Sequence, residues 1–480
     1  IALDEYSQAE TRDGYDAVEW LAAQPWCNGN VGMWGISYGG FTSIQVAKLR
    51  PPHLKAIIPM YATDDRYTDD VHYLGGCMVL SELAQYALSI VGMNALPPRP
   101  EYAGNAWAEE WKARLEQTPP WLIEWLKQPT DGPYWRNGSL APNYDRLTCA
   151  VFHIGGWMDG YTNSVLRMQA RCTNAPRKAL IGNWVHALPD SAYPGPNLDY
   201  LHEMAHFFDY WLKGVENGVM DEPALTYFRR EYAPPEAFPA RFNGEWVSEP
   251  AYPIERTQLQ EWHLEEQTLT PRFARPSPSG TPKGRVGVRD HFPHLPTHGT
   301  RASLCWGAGV APNGLARDLR PDEALIPTYT TEPLTEPLDI FGFPEAILHL
   351  SSSAPVAHVV VRLTDVHPDG ASAFVTAGVL NLTHRDGHTE PKPLAPGEVY
   401  EVHVQLKATG YRFLPGHRMR LSVASAYWPV VWPSPYKADN DLHRGPAYPS
   451  RLILPVIPPS TRLHTYKPTH FKTTPPQLTS

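Results

Sequence analysis

Three residues of this chain have the types, and follow the order, that acyl transfer needs: Ser37, Asp159 and His186. A serine hydroxyl is a weak nucleophile; it needs a base within hydrogen-bond reach, and that base needs an orienting carboxylate. Ser37 is the centre of Gly35-Ile-Ser-Tyr-Gly39, a Gly-x-Ser-x-Gly pattern. The pattern gains meaning from its flanks, a β-type run at 31–34 and helical spacing of Phe41, Ile44 and Leu49. Strand, sharp turn and helix make a nucleophile elbow, whose serine sits in strained backbone. Glycines at 35 and 39 remove side chains that would collide there. Asp159 lies in Gly155-Gly-Trp-Met-Asp-Gly160, after a strand-like run at 149–155, and His186 closes Gly182-Asn-Trp-Val-His186, after another at 178–182. Chemistry collects at the carboxyl edge of a parallel sheet. A single loop Asp or His is ordinarily just solvated, but both after successive strands, in the order Ser, acid, His, read as a triad. Asp145 and Asp190 are weaker candidates for the acid.

A second motif competes. His202-Glu-Met-Ala-His206 has the H-E-x-x-H spacing that puts two histidines on one helix face for zinc, with Glu203 as base. The same helix carries an apolar seam at Leu201, Met204, Phe208, Trp211 and Val215, which explains it as a packed helix without metal. The alternative function is thus a zinc metallopeptidase, and a third is a non-catalytic, truncated hydrolase acting as a binding module. The expectation is no metal and no organic cofactor.

The elements that must hold these groups are legible in outline. Residues 11–26 read as an amphipathic helix with Tyr15, Val18, Leu21 and Ala22 on one side and Asp13 as its start. Residues 55–60 read as a buried parallel strand. From about 62 to 143 the pattern is helical, at 81–91, 107–117 and 121–128, with many tryptophans and no strand run. Strands resume at 149–155 and 178–182, with helices near 161–172 and 199–214, and 225–229 reads as the last strand of a parallel α/β sheet. Pro-rich linkers at 233–239 and 271–282 precede short alternating strands, such as Tyr400, Val402 and Val404 against Glu401, His403 and Gln405. Val359, Val361 and Leu363, and Met419, Leu421 and Val423, repeat the alternation expected of a β-sandwich. The last twenty residues are Pro/Thr-rich and read as a tail.

The 480 residues are enough for two or three cores, and 42% hydrophobic content marks a packed protein. A net charge of −9 without a basic run argues against nucleic acid. The five cysteines, Cys27, Cys77, Cys149, Cys172 and Cys305, form no CxxC pair and suit a reducing, cytoplasmic setting. No apolar run reaches membrane-spanning length.

The segments GISYGGF, GGWMDGY, GNWVH and LPGHRMRLSVASA resemble the CocE/NonD hydrolases, the family of the Xaa-Pro dipeptidyl-peptidases and cocaine esterase. The resemblance covers nearly the whole chain. It implies an α/β-hydrolase sheet, N-terminally truncated, with a helical cap insertion, followed by an all-β jelly-roll domain. The expected divisions are 1–61 and 144–240 for the two parts of the hydrolase, 62–143 for the cap, and 241–480 for the jelly roll. It implies a triad of Ser37, Asp159 and His186, with the Tyr38 backbone N–H in the oxyanion hole. The expected partners are a small ester, amide or short-peptide substrate and at most a second copy in a homodimer, with no nucleic acid and no membrane. Gly39 stands where the related α-amino-acid ester hydrolases show Glu, which speaks against that subgroup. The family's second oxyanion donor is a tyrosine hydroxyl from a loop far upstream of the elbow, and only 36 residues precede Ser37. The expectation is therefore a fragment with an open sheet edge that folds poorly and hydrolyses weakly on its own.

Overall fold

The computed structural model describes residues 3–68, 70–271, 288–300 and 314–459. Cys305, nearly all of the 271–282 linker and the Pro/Thr-rich tail lie outside the described residues. Helix α1 (Gln8–Ala22) begins before Asp13, because Ser7 caps it: the Ser7 hydroxyl oxygen accepts from the Glu10 N–H at 3.1 Å. Strand β1 (Val31–Ile36) leads into α2 (Tyr38–Lys48), and β2 (Leu54–Met60) returns parallel to β1. Apolar periodicity alone starts α2 at Phe41, since a tyrosine and two glycines occupy its first turn.

The segment that follows carries a two-residue hairpin absent from the sequence reading, β3 (Tyr73–Leu74) and β4 (Cys77–Met78). Five helices come next: α3 (Leu80–Ala95), α4 (Pro100–Ala103), α5 (Trp107–Gln117), α6 (Trp121–Leu126) and α7 (Pro133–Arg136). Their tryptophans have a purpose in packing. Trp121, Trp125 and Trp135 close with Tyr67, Tyr73 and Leu83 into a small aromatic core, which lets short helices bury enough surface to hold together.

Strand and helix then alternate as β5 (Ala150–Gly156), α8 (Thr162–Arg171), β6 (Arg177–Gly182), α9 (Tyr200–Lys213) and β7 (Leu225–Arg230). The parallel order is β1-β2-β5-β6-β7. Strand β5 is buried along its whole length, as a strand covered on both faces must be. Helix α9 turns Tyr200, Met204 and Phe207 inward, whereas Leu201 and Val215 of the expected seam are 54% and 45% exposed. Among the described residues β1 pairs only with β2, so the elbow strand lies at the end of the strand order. The sheet does not end at β7. Strand β8 (Gly244–Glu249) pairs antiparallel with it, and the C-terminal strand Thr409–Phe413 lies parallel beside it at Tyr411 and Arg230.

Beyond β8 the chain is a β-sandwich. One sheet holds Thr328–Thr330, Arg418–Ala424, His358–Val366 and Ser372–Asn381. It faces strands such as Glu345–Ser352 and Tyr400–Gln405 across a core that includes Leu348, Val361, Val404 and Leu421. Val402 and Val404 are buried while Glu401, His403 and Gln405 are exposed, as their alternation requires. His358–Val366 departs from that rule by being buried on both faces. Its outer face is covered, with Val360 packing against Cys77 and Val79 of the insertion. The contact is close: Gly75 has φ +54°, a Cβ there would lie 1.8 Å from the Val379 carbonyl oxygen, and its own carbonyl accepts from the Asn381 N–H at 2.8 Å. The α/β fold class with a cap and an all-β C-terminal part therefore holds.

Candidate active site

Three loops at the carboxyl edge of the sheet converge. Ser37 follows β1 directly, with φ 56° and ψ −124°, a left-handed conformation that costs a non-glycine residue about 1–3 kcal/mol. The turn is held from both sides: the Ser37 N–H donates to the Met60 carbonyl at 2.9 Å, and the Ser37 carbonyl accepts from the Phe41 N–H at 2.9 Å. The two flanking glycines are unequal. A Cβ on Gly35 would lie 2.4 Å from the Gly39 carbonyl carbon, whereas a Cβ on Gly39 meets nothing within 4 Å. Collision therefore explains Gly35 and not Gly39. Gly35→Ala is expected to cost about 1–3 kcal/mol of stability and most of the activity, while Gly39→Ala keeps both; melting and ester turnover of the pair check this.

Tyr38 opens α2, where a backbone N–H has no intrahelical acceptor. Its hydroxyl donates to Glu10 Oε2 at 2.8 Å and accepts from the Tyr6 N–H at 3.1 Å, and its ring stacks on Tyr6 at 4.6 Å. Asp159 is three residues beyond β5 and 1% exposed. Its Oδ1 accepts from the Tyr161 N–H at 2.7 Å, and its Oδ2 lies 2.6 Å from His186 Nδ1. A carboxylate can only accept, so Nδ1 carries the proton. Tyr61 and Tyr161 flank the imidazole with ring centroids at 5.5 and 5.6 Å. Asp190 instead accepts from the Ser191 hydroxyl, and Asp145 sits in a turn where its carbonyl accepts from Arg50.

Ser37, Asp159 and His186 line one cavity of about 260 Å³, together with Tyr6, Tyr38, Tyr86 and Tyr161. Helix α3 contributes Gln85, Tyr86 and Ser89 from above. Burial pushes the Tyr6, Tyr61 and Tyr161 hydroxyls well above their usual range, so they act only as neutral groups.

Glu5 and Asp70 complete the wall, backed by Arg66 and His72, all four almost fully buried. Glu5 Oε1 is 2.6 Å from Arg66, and His72 places one ring nitrogen 3.3 Å from Glu5 and the other 3.3 Å from Asp70. Burial alone would raise the Glu5 carboxyl, but Arg66 and His72 hold it at about 2. Burial works against a charged His72, yet Asp70 and Glu5 carry it up to about 9. Two anions thus face two cations. Among the described residues, Glu5, Asp70 and His72 form the only group of three with ligand atoms close enough for a metal. Each carboxylate already has a cationic neighbour, so the group reads as a neutral ion network.

The H-E-x-x-H pair is elsewhere. The His202 and His206 rings stack at 6.3 Å, and His206 Nε2 lies 3.3 Å from Glu222, which also pairs with Lys178. Among the described residues they belong to no three-ligand group. Incubation with a chelator is expected to leave ester turnover unchanged; loss of activity restored by zinc would contradict this.

The sequence reading missed Tyr61, Tyr161, Glu5 and Tyr6. Tyr161 carried a signal, since it adjoins Asp159 in a βα loop, and Tyr61 stands immediately beyond β2. Nothing local marked Glu5 or Tyr6, which reach the site only because residues 4–6 thread between the elbow and the insertion, held by bonds such as Tyr134 hydroxyl to Asp4 at 2.6 Å.

The model of the X-Pro dipeptidyl-peptidase (S15 family) matches residues 3–188, and that of the X-Pro dipeptidyl-peptidase C-terminal non-catalytic domain matches 217–453. Together the two matches span most of the chain. The protein is a serine hydrolase. The chain is 28% identical to cocaine esterase from Rhodococcus sp. (strain MB1 Bresler), over 93% of its own length and 84% of the relative's. It is 23% identical to a putative Xaa-Pro dipeptidyl-peptidase of Bacillus anthracis, over 82% of its length and 59% of the relative's. Its fold matches a CocE/NonD family hydrolase from Staphylococcus aureus with a TM-score of 0.73 at 17% identity, covering 95% of this chain and 77% of that one. No helix among the described residues is long and apolar enough to cross a membrane.

Proposed function

We propose that this hydrolase is an esterase acting on small aromatic carboxylic esters through a Ser37-His186-Asp159 triad. The observation that carries the reading is the strained Ser37 sharing one cavity with a buried Asp159–His186 pair. Ser37 Oγ attacks the ester carbonyl and its proton passes to His186 Nε2, since Nδ1 is held by Asp159. The Tyr38 N–H, at the positive end of α2, stabilises the oxyanion. The alcohol leaves with the proton from His186, and water, activated by the same imidazole, releases the acid from Ser37.

Two observations favour an ester over an Xaa-Pro peptide. The cavity is walled by tyrosines, which suit an aromatic group. A peptide's terminal ammonium would want an uncompensated carboxylate, and Glu5 and Asp70 are each matched by a cation. Cocaine esterase is also the relative matched over more of both chains. Among the described residues Cys27, Cys77, Cys149 and Cys172 are free thiols, and burial pushes Cys149 and Cys172 up to about 12, so a cytoplasmic setting fits them. The expected result is hydrolysis of methyl and p-nitrophenyl benzoates, with Ala-Pro-p-nitroanilide turned over no faster than by Ser37→Ala protein. Efficient release of nitroaniline would replace the esterase reading with the peptidase one.

A further inference from the structure

The C-terminal β-sandwich reaches the acid loop through one buried cation. Lys407 is 8% exposed, and its Nζ donates to the backbone carbonyl of Asp159. A lysine is rarely buried without a partner, and a hydrocarbon side chain would hold an interface at lower cost. The surrounding contacts show what the cation is fixed to. The Lys407 N–H donates to the Ala377 carbonyl at 2.9 Å, and the Lys407 carbonyl accepts from the Thr376 hydroxyl at 2.7 Å, so its backbone is pinned inside the sandwich. The next residue ties the same two parts together, with the Ala408 N–H donating to Asn163 Oδ1 at 2.8 Å.

On the receiving side, the Asp159 carbonyl also accepts from the Thr162 hydroxyl at 3.0 Å, and the Asp159 N–H donates to Gly156 at 3.1 Å. The peptide group of Asp159 is thus held at both ends, and its side chain emerges toward His186 in one orientation. Of these three bonds, the one from Lys407 is the one that comes from the C-terminal sandwich.

We infer that Lys407 is a positioning residue for the acid of the triad: the sandwich, through this ammonium, sets where Asp159 holds His186. The inference rests on the triad reading above. It gives a direct part in turnover to a region whose family model is described as non-catalytic.

The test compares Lys407→Met, Lys407→Arg, Arg230→Met and Asp159→Asn in the full chain. Arg230 is a control at the same interface: it is buried and bonds the Val375 carbonyl and the Thr409 hydroxyl, and no bond joins it to the acid loop. Two quantities are read, the kcat-against-KM split for benzoate esters and the downfield proton resonance of the His186 Nδ1–H on Asp159. Lys407→Met is expected to lower kcat about 10–100-fold with KM little changed, the scale of a small misplacement of a catalytic group. It should also shift or broaden the resonance, and Lys407→Arg should recover much of both. Arg230→Met should lower the melting temperature without moving the resonance. Full activity in Asp159→Asn would sink the triad itself. An inactive Asp159→Asn beside an unaltered Lys407→Met, or equal losses in Lys407→Met and Arg230→Met, would overturn the role of Lys407 alone. If Lys407→Met does not fold, Lys407→Gln, which keeps an N–H donor without the charge, is read in the same two ways.

Discussion

Ser37→Ala is expected to lower ester turnover by about four to six orders of magnitude, leaving KM near its original value. Losing the nucleophile of a triad costs roughly that much, because the remaining members cannot act without it. The backbone argument sharpens the expectation. Ser37 sits at φ 56° whichever side chain it bears, since β1 and α2 fix the turn. Alanine should therefore keep the strain, the cavity and the Asp159–His186 pair, and the variant should fold and bind ester. His186→Ala should be nearly as slow, and the double variant no slower than either single one, because the two residues act as a unit. A fluorophosphonate probe should label Ser37 in the parent chain and nothing in Ser37→Ala. Turnover surviving in Ser37→Ala, with labelling at another serine, would place the chemistry elsewhere.

Arg66→Met is expected to cost about 3–5 kcal/mol of unfolding free energy near pH 6, the range for removing one partner of a buried ion pair. Arg66 bonds Glu5 and the Asn137 carbonyl, and lies over the rings of Tyr6 and Trp135 at 5.1 Å each. Its loss leaves Glu5 buried with His72 as its remaining cation. The pH dependence follows from the two shifted groups. Glu5 is depressed from 4.5 to about 2, so its contribution is present above 4.5 and lost as pH falls toward 2. His72 is raised from 6.5 to about 9, so its contribution is complete below 6.5 and lost as pH rises through 9. The network is therefore strongest between those two ordinary values, and the gap between parent and variant should be large there. It should shrink in acid, where Glu5 of the variant takes up a proton and stops being a buried charge. Urea unfolding at pH 4, 6 and 9 measures this; an equal gap at all three would mean that Arg66 acts by packing alone. Glu5 and Asp70 wall the cavity, so a raised KM should accompany the loss of stability.

What the sequence determined by itself is the set of reacting groups and the order of the elements carrying them. Gly35-x-Ser37 between a β-type run and a helix, and Asp159 and His186 just past apolar runs, are local features. Strand propensity, helical spacing and the steric demand of one tight turn fix them within a dozen residues each. The same locality explains the errors. Periodicity cannot see a cap such as Ser7, which is why it starts α1 at Asp13. An apolar seam on an isolated helix does not reveal which side meets the sheet, so the pattern alone turns Leu201 and Val215 inward. The glycines at 35 and 39 looked equivalent, and only their neighbours in space separate them.

Tertiary structure decided everything that joins residues distant in the chain. Residues 4–6 reach the cavity wall because tyrosines, a tryptophan and Arg66 of other segments hold them there. Asp70 and His72 become an ion network only when Glu5 and Arg66 are folded against them, where low polarity makes pairing obligatory. His358–Val366 reads as half-buried until the hairpin at Gly75 covers its outer face. Lys407, an ordinary lysine in the short link between the strands Tyr400–Gln405 and Thr409–Phe413, lies 248 residues from Asp159 and meets it only because the sandwich docks beside β7. A linear pattern records which side chain is present; the desolvation and charge pairing that give these residues their roles arise from neighbours that the pattern does not contain.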